Sequence, residues 1–70
     1  MLQLDLHGKR HHEVFDLVEE WLLRKQEYMP VKVITGNSTP MKNIVMDVVK
    51  GYNWKFYTPA NNLGEIIVIG

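Results

Sequence analysis

The sequence predicts an α/β fold, more specifically a two-layer α+β sandwich with the element order β-α-β-α-β-β. Three observations predict it: an alternating apolar segment opens the chain, two segments of helical periodicity flank a β-branched run, and two short strand-like runs close the chain. Strands that alternate with helices pair in parallel through right-handed crossovers, and the last two strands are close enough for an antiparallel hairpin. Because 70 residues cannot supply helices for both faces of a four-stranded mixed sheet, we expect two helices on one face and an open face opposite.

The first strand is predicted over residues 2–7, where apolar and polar residues alternate. Successive side chains of a strand point to opposite faces, so Asp5 and His7 point away from the core with their Cα atoms about 7 Å apart. Gly8 ends the strand. The predicted core face carries Leu2, Leu4 and Leu6.

The first helix is predicted from about residue 11 to residue 28, and Pro30 stops it. Its apolar residues repeat at helical spacing and form one stripe, while acidic residues favour its start and basic residues its end. The stripe comprises Val14, Leu17, Val18, Trp21 and Leu22.

The β-branched residues 31–35 predict the second strand. The second helix begins where Ser38 or Thr39 caps it, with Pro40 at its first position, and Gly51 ends it. Two further strands are predicted over residues 54–58 and 65–69, separated by a turn. The aromatic residues of the third strand divide between the two faces: Trp54 and Phe56 fill the core, and Tyr57 lies on the open face.

Composition excludes several classes of protein. Eight basic and eight acidic residues cancel, which argues against a strongly cationic binder but leaves room for a local basic patch. The chain has no cysteine, so it has neither disulfides nor thiolate metal sites, and a reducing compartment is permitted. Its longest uninterrupted apolar run, residues 66–69, is far too short to span a membrane. We expect one domain, residues 1–70, in the cytoplasm and without a membrane partner.

Asp5 and His7 are the candidate catalytic pair. A carboxylate beside an imidazole can orient the ring and favour its protonated form, and both side chains can reach one phosphate group. Such a pair suits general acid–base catalysis on a phosphodiester. The same spacing also fits an ordinary solvated strand face that ends at a turn glycine.

Two loops are candidates for phosphate binding. The residues after the second strand lie where α/β sheets place ligand loops, and free amides at a helix start favour a phosphate. A basic run follows the first strand, and parallel strands end at the same sheet edge, so the two loops converge on the candidate pair. Each loop alone also fits a routine turn. The predicted nucleic-acid-binding residues are Lys9, Arg10, Thr35, Gly36, Asn37, Ser38 and Lys42.

No strong metal-ligand motif is present. Asp5, His7, His11 and His12 offer suitable ligand types, but their spacing matches no zinc pattern, and adjacent histidines rarely point at the same ion. We therefore predict no resident metal site. Mg²⁺ that binds together with substrate phosphates stays open as a cofactor.

In this order, the motifs resemble those of the Smr (small MutS-related) domain. The first match is Leu4-Asp5-Leu6-His7-Gly8 followed by Glu13-Val14; the second is Ile34-Thr35-Gly36 before a helix that carries Lys42; the third is the glycine turn and final apolar strand of residues 63–69. In the family's second loop, which usually reads His-Gly-x-Gly or Thr-Gly-x-Gly, Ser38 stands where the second glycine belongs.

The resemblance implies both a fold and a function. The fold of the family is similar to that of the C-terminal domain of bacterial translation initiation factor three, and Smr domains nick or cleave DNA or RNA. It implies catalytic roles for Asp5 and His7 and a substrate-backbone role for residues 35–38. Our leading hypothesis is an endonuclease. The alternatives are a nucleic-acid-binding module without catalysis and a protein-interaction domain.

Overall fold

The computed structural model describes all 70 residues. Its elements are β1 (Gln3–Asp5), α1 (His11–Arg24), β2 (Val31–Ile34), α2 (Thr39–Gly51), β3 (Phe56–Tyr57) and β4 (Glu65–Val68), with a 3₁₀ turn (Gln26–Tyr28) between α1 and β2. The sheet order is β1-β2-β4-β3, in which β1 and β2 are parallel and the other neighbours antiparallel. The predicted α+β class, element order and closing hairpin are confirmed.

Both helices pack on one face of the sheet. The chain crosses from β1 to β2 and from β2 to β3 in the same direction along the sheet, and right-handed crossovers in one direction place their helices on the same side. Alternate residues of β2 and β4 therefore face the helices and are buried with them. The buried cluster comprises Leu6, Val14, Val18, Leu22, Val31, Val33, Met41, Val45, Val48, Val49, Ile66 and Val68.

The opposite face of the sheet carries no helix. The strand register aligns Gln3, Lys32, Ile67 and Tyr57 in one row across this face, and the Tyr57 residue is 50% exposed. The expectation of an open face with Tyr57 on it is confirmed.

The first strand is shorter than predicted, and its leucines are unequally buried. Leu6 is 1% exposed, Leu4 is half-buried and Leu2 is 42% exposed. Leu2 precedes β1, which is an edge strand. Leu2 therefore has a neighbouring strand on one side only. The predicted burial of all three leucines is therefore wrong for Leu2.

The predicted first helix is four residues too long at its carboxyl end. α1 ends at Arg24, and the amide of Lys25 donates to the carbonyls of both Trp21 and Leu22. None of residues 23–28 is buried, so no core contact favours continuing the helix, and short helices depend on such contacts.

The end of α2 and the start of β3 also differ from the prediction. Gly51 is the last residue of α2, and the left-handed residue that follows the helix is Asn53, with φ of 58°, a conformation that asparagine tolerates. The amide of Trp54 then donates to the carbonyl of Val49. Trp54 thus lies in the turn that follows α2 and not in the third strand, although it packs against the core as predicted.

Tyr52 links the two helices at the surface. Its hydroxyl donates to Oε2 of Glu19 at 2.8 Å, and its ring stacks on that of Trp54 with centroids 4.7 Å apart. The hydrogen bond to the Glu19 carboxylate raises the pKa of Tyr52 above its ordinary value because it favours the protonated phenol.

Replacing Glu19 with alanine is expected to lower the pKa of Tyr52 toward its ordinary value. The pKa of Tyr52 is higher in the folded state than in the unfolded state. The contact with Glu19 therefore stabilises the fold fully at a pH below the unfolded-state pKa, and this stabilisation is lost as the pH rises through the folded-state pKa. NMR titration of the Tyr52 ring measures the midpoint. Glu20→Ala is the matched control, since Glu20 pairs with Arg24. An unchanged midpoint in Glu19→Ala would contradict this account.

Neither α1 nor α2 has the length and apolar content that a membrane-spanning helix requires.

Candidate functional site

Three loops meet at one edge of the sheet. β1 and β2 are parallel, and the amide of Leu6 donates to the carbonyl of Ile34, so both strands end side by side. β4 is antiparallel to β2 and begins with Glu65 opposite Ile34. The segment before β4 therefore reaches the same place. We call this region the loop edge; it comprises residues 6–10, 35–38 and 59–64. The prediction that the first two strands end at the same edge of the sheet is confirmed.

The first loop turns immediately after β1. The carboxylate Oδ1 of Asp5 accepts the backbone N–H of His7 at 2.9 Å, the amide of Lys9 donates to the carbonyl of Leu6, and Gly8 has φ of +77°, which favours glycine. The expectation that Asp5 and His7 both project from a strand face is therefore wrong in one respect. Asp5 ends the strand, and His7 lies in the turn because the carboxylate binds the His7 backbone.

The imidazole of His7 makes no hydrogen bond or ion pair within the protein. His7 is exposed, and its only hydrogen bond is the one that its backbone N–H donates to Asp5. Lys9 and Arg10 follow it and are also exposed. The first loop therefore presents an imidazole and two cationic side chains to solvent within four consecutive residues.

The second loop uses its first two residues internally. The amides of Thr35 and Gly36 both donate to the carbonyl of Gly64, at 2.8 and 3.0 Å. The Thr35 hydroxyl lies 3.0 Å from the carbonyl oxygen of Gly36 and 3.2 Å from that of Gly64, and Thr35 is only 7% exposed. The sequence predicts a phosphate-binding role for Thr35 and for the Gly36 amide, whereas in the fold these donors hold the loop to its neighbour.

The next residues of this loop present free donors. Asn37, Ser38 and Thr39 have backbone N–H groups without a partner in the protein, as expected at the start of a helix. Of the two predicted cap residues, Ser38 caps α2: its Oγ accepts the amide of Met41 at 3.2 Å, a contact that typically contributes about 1 kcal/mol. Thr39 is the first residue of α2, so Pro40 lies at its second position and not at the first as predicted. The hydroxyl proton of Ser38 stays available to a ligand.

Serine at position 38 fits the backbone without strain. Ser38 has φ of −77°, which any residue adopts. The left-handed residue of this loop is Gly36, with φ of +64° and no atom within 4 Å of the place where a Cβ would stand. The departure from the Smr pattern at position 38 therefore leaves the loop conformation intact.

The loop edge carries unpaired positive charge. The two ion pairs of the protein are Arg24–Glu20 and Lys32–Glu65, so neither uses Lys9, Arg10 or Lys42. Lys42 is half-buried in the first turn of α2. Unpaired cations beside helix starts favour an anionic ligand.

No cavity lies at the loop edge. The one pocket of the protein is on α1, lined by Leu17, Glu20, Trp21 and Arg24. No group of three or more histidine, aspartate or glutamate side chains is close enough to hold a metal ion. The loop edge is thus an open surface.

Comparisons with known proteins found no match to this chain. The chain matches no family model, no curated protein and no solved structure. The residues of the loop edge themselves are therefore the basis for assigning a function.

Sequence reasoning missed one part of this region. Asn62 and Gly64 were interpreted as turn residues, but the turn packs directly against Thr35 and Gly36. The contact depends on the insertion of β4 between β2 and β3. The Asn-x-Gly pattern signals a turn but does not reveal which strand lies beside it.

Proposed function

We propose that this protein is an Smr-like endonuclease that cleaves phosphodiester bonds of DNA or RNA at the loop edge. One observation carries the proposal: the exposed imidazole of His7, which makes no hydrogen bond, lies in the same loop as the unpaired cations Lys9 and Arg10, at the same sheet edge as the free amides at the start of α2. The cations and amides bind the phosphate, and the imidazole moves protons.

On an RNA substrate, the substrate supplies the nucleophile and the loop edge supplies the general base. Neutral His7 takes the proton of a 2′-hydroxyl, whose oxygen attacks the adjacent phosphorus. The bond to the 5′-oxygen breaks, and that oxygen takes a proton from water. The products are a 2′,3′-cyclic phosphate and a 5′-hydroxyl. Lys9 and Arg10 stabilise the negative charge that develops on the phosphoryl oxygens.

Asp5 supports His7 through the backbone. Its carboxylate accepts the His7 amide at 2.9 Å and so fixes the turn that presents the imidazole. On a DNA substrate, which lacks the 2′-hydroxyl, water is the nucleophile, and Mg²⁺ held jointly by Asp5 and the substrate phosphate would activate it. We further propose that the protein acts in the cytoplasm; a domain without cysteine does not need an oxidising compartment in order to fold.

A nucleic-acid-binding module without catalysis is the second candidate. It is favoured by the engagement of the Thr35 and Gly36 amides with Gly64, which leaves fewer donors to stabilise a transition state. Such a module would still bind phosphates through Lys9, Arg10 and Lys42, with an affinity that falls as salt rises.

Incubation of the purified protein with labelled single-stranded RNA and with supercoiled DNA separates these functions. We expect cleavage of at least one substrate, with metal-independent cyclic-phosphate ends for RNA and Mg²⁺-dependent nicks for DNA. Parallel reactions with EDTA distinguish the two routes. Salt-sensitive binding without any product, unchanged in Asp5→Ala and His7→Ala, would support the binding module and refute the nuclease.

A further inference from the structure

The turn before β4 holds the second loop in place. The Gly64 carbonyl accepts the amides of both Thr35 and Gly36, at 2.8 and 3.0 Å. Since Ile34 pairs with Glu65, these bonds extend the β2–β4 ladder by one residue pair, to the point where the second loop leaves the sheet. The start of the loop is thus fixed by residues 62–64 and not by its own side chains alone.

The contact leaves little room for a side chain at position 64. A Cβ on Gly64 would stand 3.2 Å from the Cα and 3.3 Å from the carbonyl carbon of Gly36. Both are backbone atoms, so the second loop would have to shift. On the other side, Oδ1 of Asn62 accepts the amide of Gly64 at 3.0 Å, which fixes the orientation of this turn.

A shift at Gly36 changes what the loop presents. The free amides of Asn37, Ser38 and Thr39 follow Gly36 directly, and Gly36 is the flexible, left-handed residue of the loop. Rotation there would change the path of the chain into Asn37 and Ser38, whereas Thr39 belongs to α2, which is held by its buried residues. The placement of the Asn37 and Ser38 donors therefore depends on the Gly64 carbonyl, and the Asn62 side chain restrains the turn that carries this carbonyl.

We propose that Asn62 and Gly64 are positioning residues for phosphate binding: they act through Thr35 and Gly36 to aim the amides at the start of α2. This inference rests on the proposed function, because it assigns those amides to a substrate phosphate. Neither residue contacts the substrate.

Asn62→Ala tests the proposal with little risk to folding, since Asn62 is exposed. We expect displaced amide resonances for residues 36–39 and binding of a single-stranded oligonucleotide weakened by up to about tenfold at low salt. Asn62→Ser retains an acceptor without adding charge and should recover part of the affinity. Asn61→Ala is the matched control, because Asn61 is an adjacent exposed asparagine without a hydrogen bond in the protein.

Gly64→Ala should weaken binding more than Asn62→Ala, because it displaces backbone atoms. Thermal unfolding of each variant shows whether the loss reflects the site or the whole fold. Three results would each overturn the positioning role and leave the proposed function standing. The amide resonances of residues 36–39 could stay in place in Asn62→Ala, or they could shift without any change in oligonucleotide affinity. Asn61→Ala could also lose as much affinity as Asn62→Ala. A wild-type protein that binds no oligonucleotide would overturn both.

Discussion

Replacing His7 with alanine is expected to reduce the cleavage rate by about 100- to 10,000-fold, the usual contribution of a general acid or base. The imidazole is exposed and makes no hydrogen bond within the protein, and a neutral imidazole can both accept and donate a proton. Measurement of kcat and KM on the preferred substrate checks the prediction. The loss should fall on kcat, because Lys9 and Arg10 still bind the substrate.

Two controls separate proton transfer from structural damage. Oligonucleotide affinity should be unchanged in His7→Ala. Asp5→Asn retains an oxygen acceptor for the His7 amide and should keep the turn, whereas Asp5→Ala should not. A His7→Ala protein that cleaves at the wild-type rate would remove His7 from the mechanism.

Replacing Leu6 with alanine is expected to lower the free energy of unfolding by about 2–5 kcal/mol. Leu6 is 1% exposed and belongs to the main core cluster. A domain of this size has a total stability of roughly 4–10 kcal/mol, so the substitution removes a large share of it. Urea or thermal unfolding followed by circular dichroism measures the loss.

The same substitution should also affect function, because Leu6 lies between Asp5 and His7 and anchors their turn in the core. Leu63→Ala is the matched control: Leu63 is 61% exposed, and its truncation should change the stability by less than about 0.5 kcal/mol. A loss in Leu6→Ala no larger than that of the control would show that the turn is not anchored in this way.

The loop edge could be predicted only in part. Parallel pairing of the first two strands is a general rule of β-α-β units, so the approach of residues 6–10 to residues 35–38 followed from element order. The partners of individual donors did not follow. Thr35 has the composition of a phosphate ligand, yet its hydroxyl and amide are engaged by Gly64. That contact depends on a strand 30 residues away along the chain.

Local sequence determined the element order, the amphipathic faces of α1 and α2, the cap at Ser38 and the left-handed turn glycines, because periodicity, capping and backbone sterics act over a few neighbouring residues. The tertiary structure decided three things: the insertion of β4 between β2 and β3, the use of the Asp5 carboxylate on the His7 backbone, and the docking of Gly64 on Gly36. Strand order and donor partnership depend on which surfaces meet when the core closes, and a linear pattern does not contain that information.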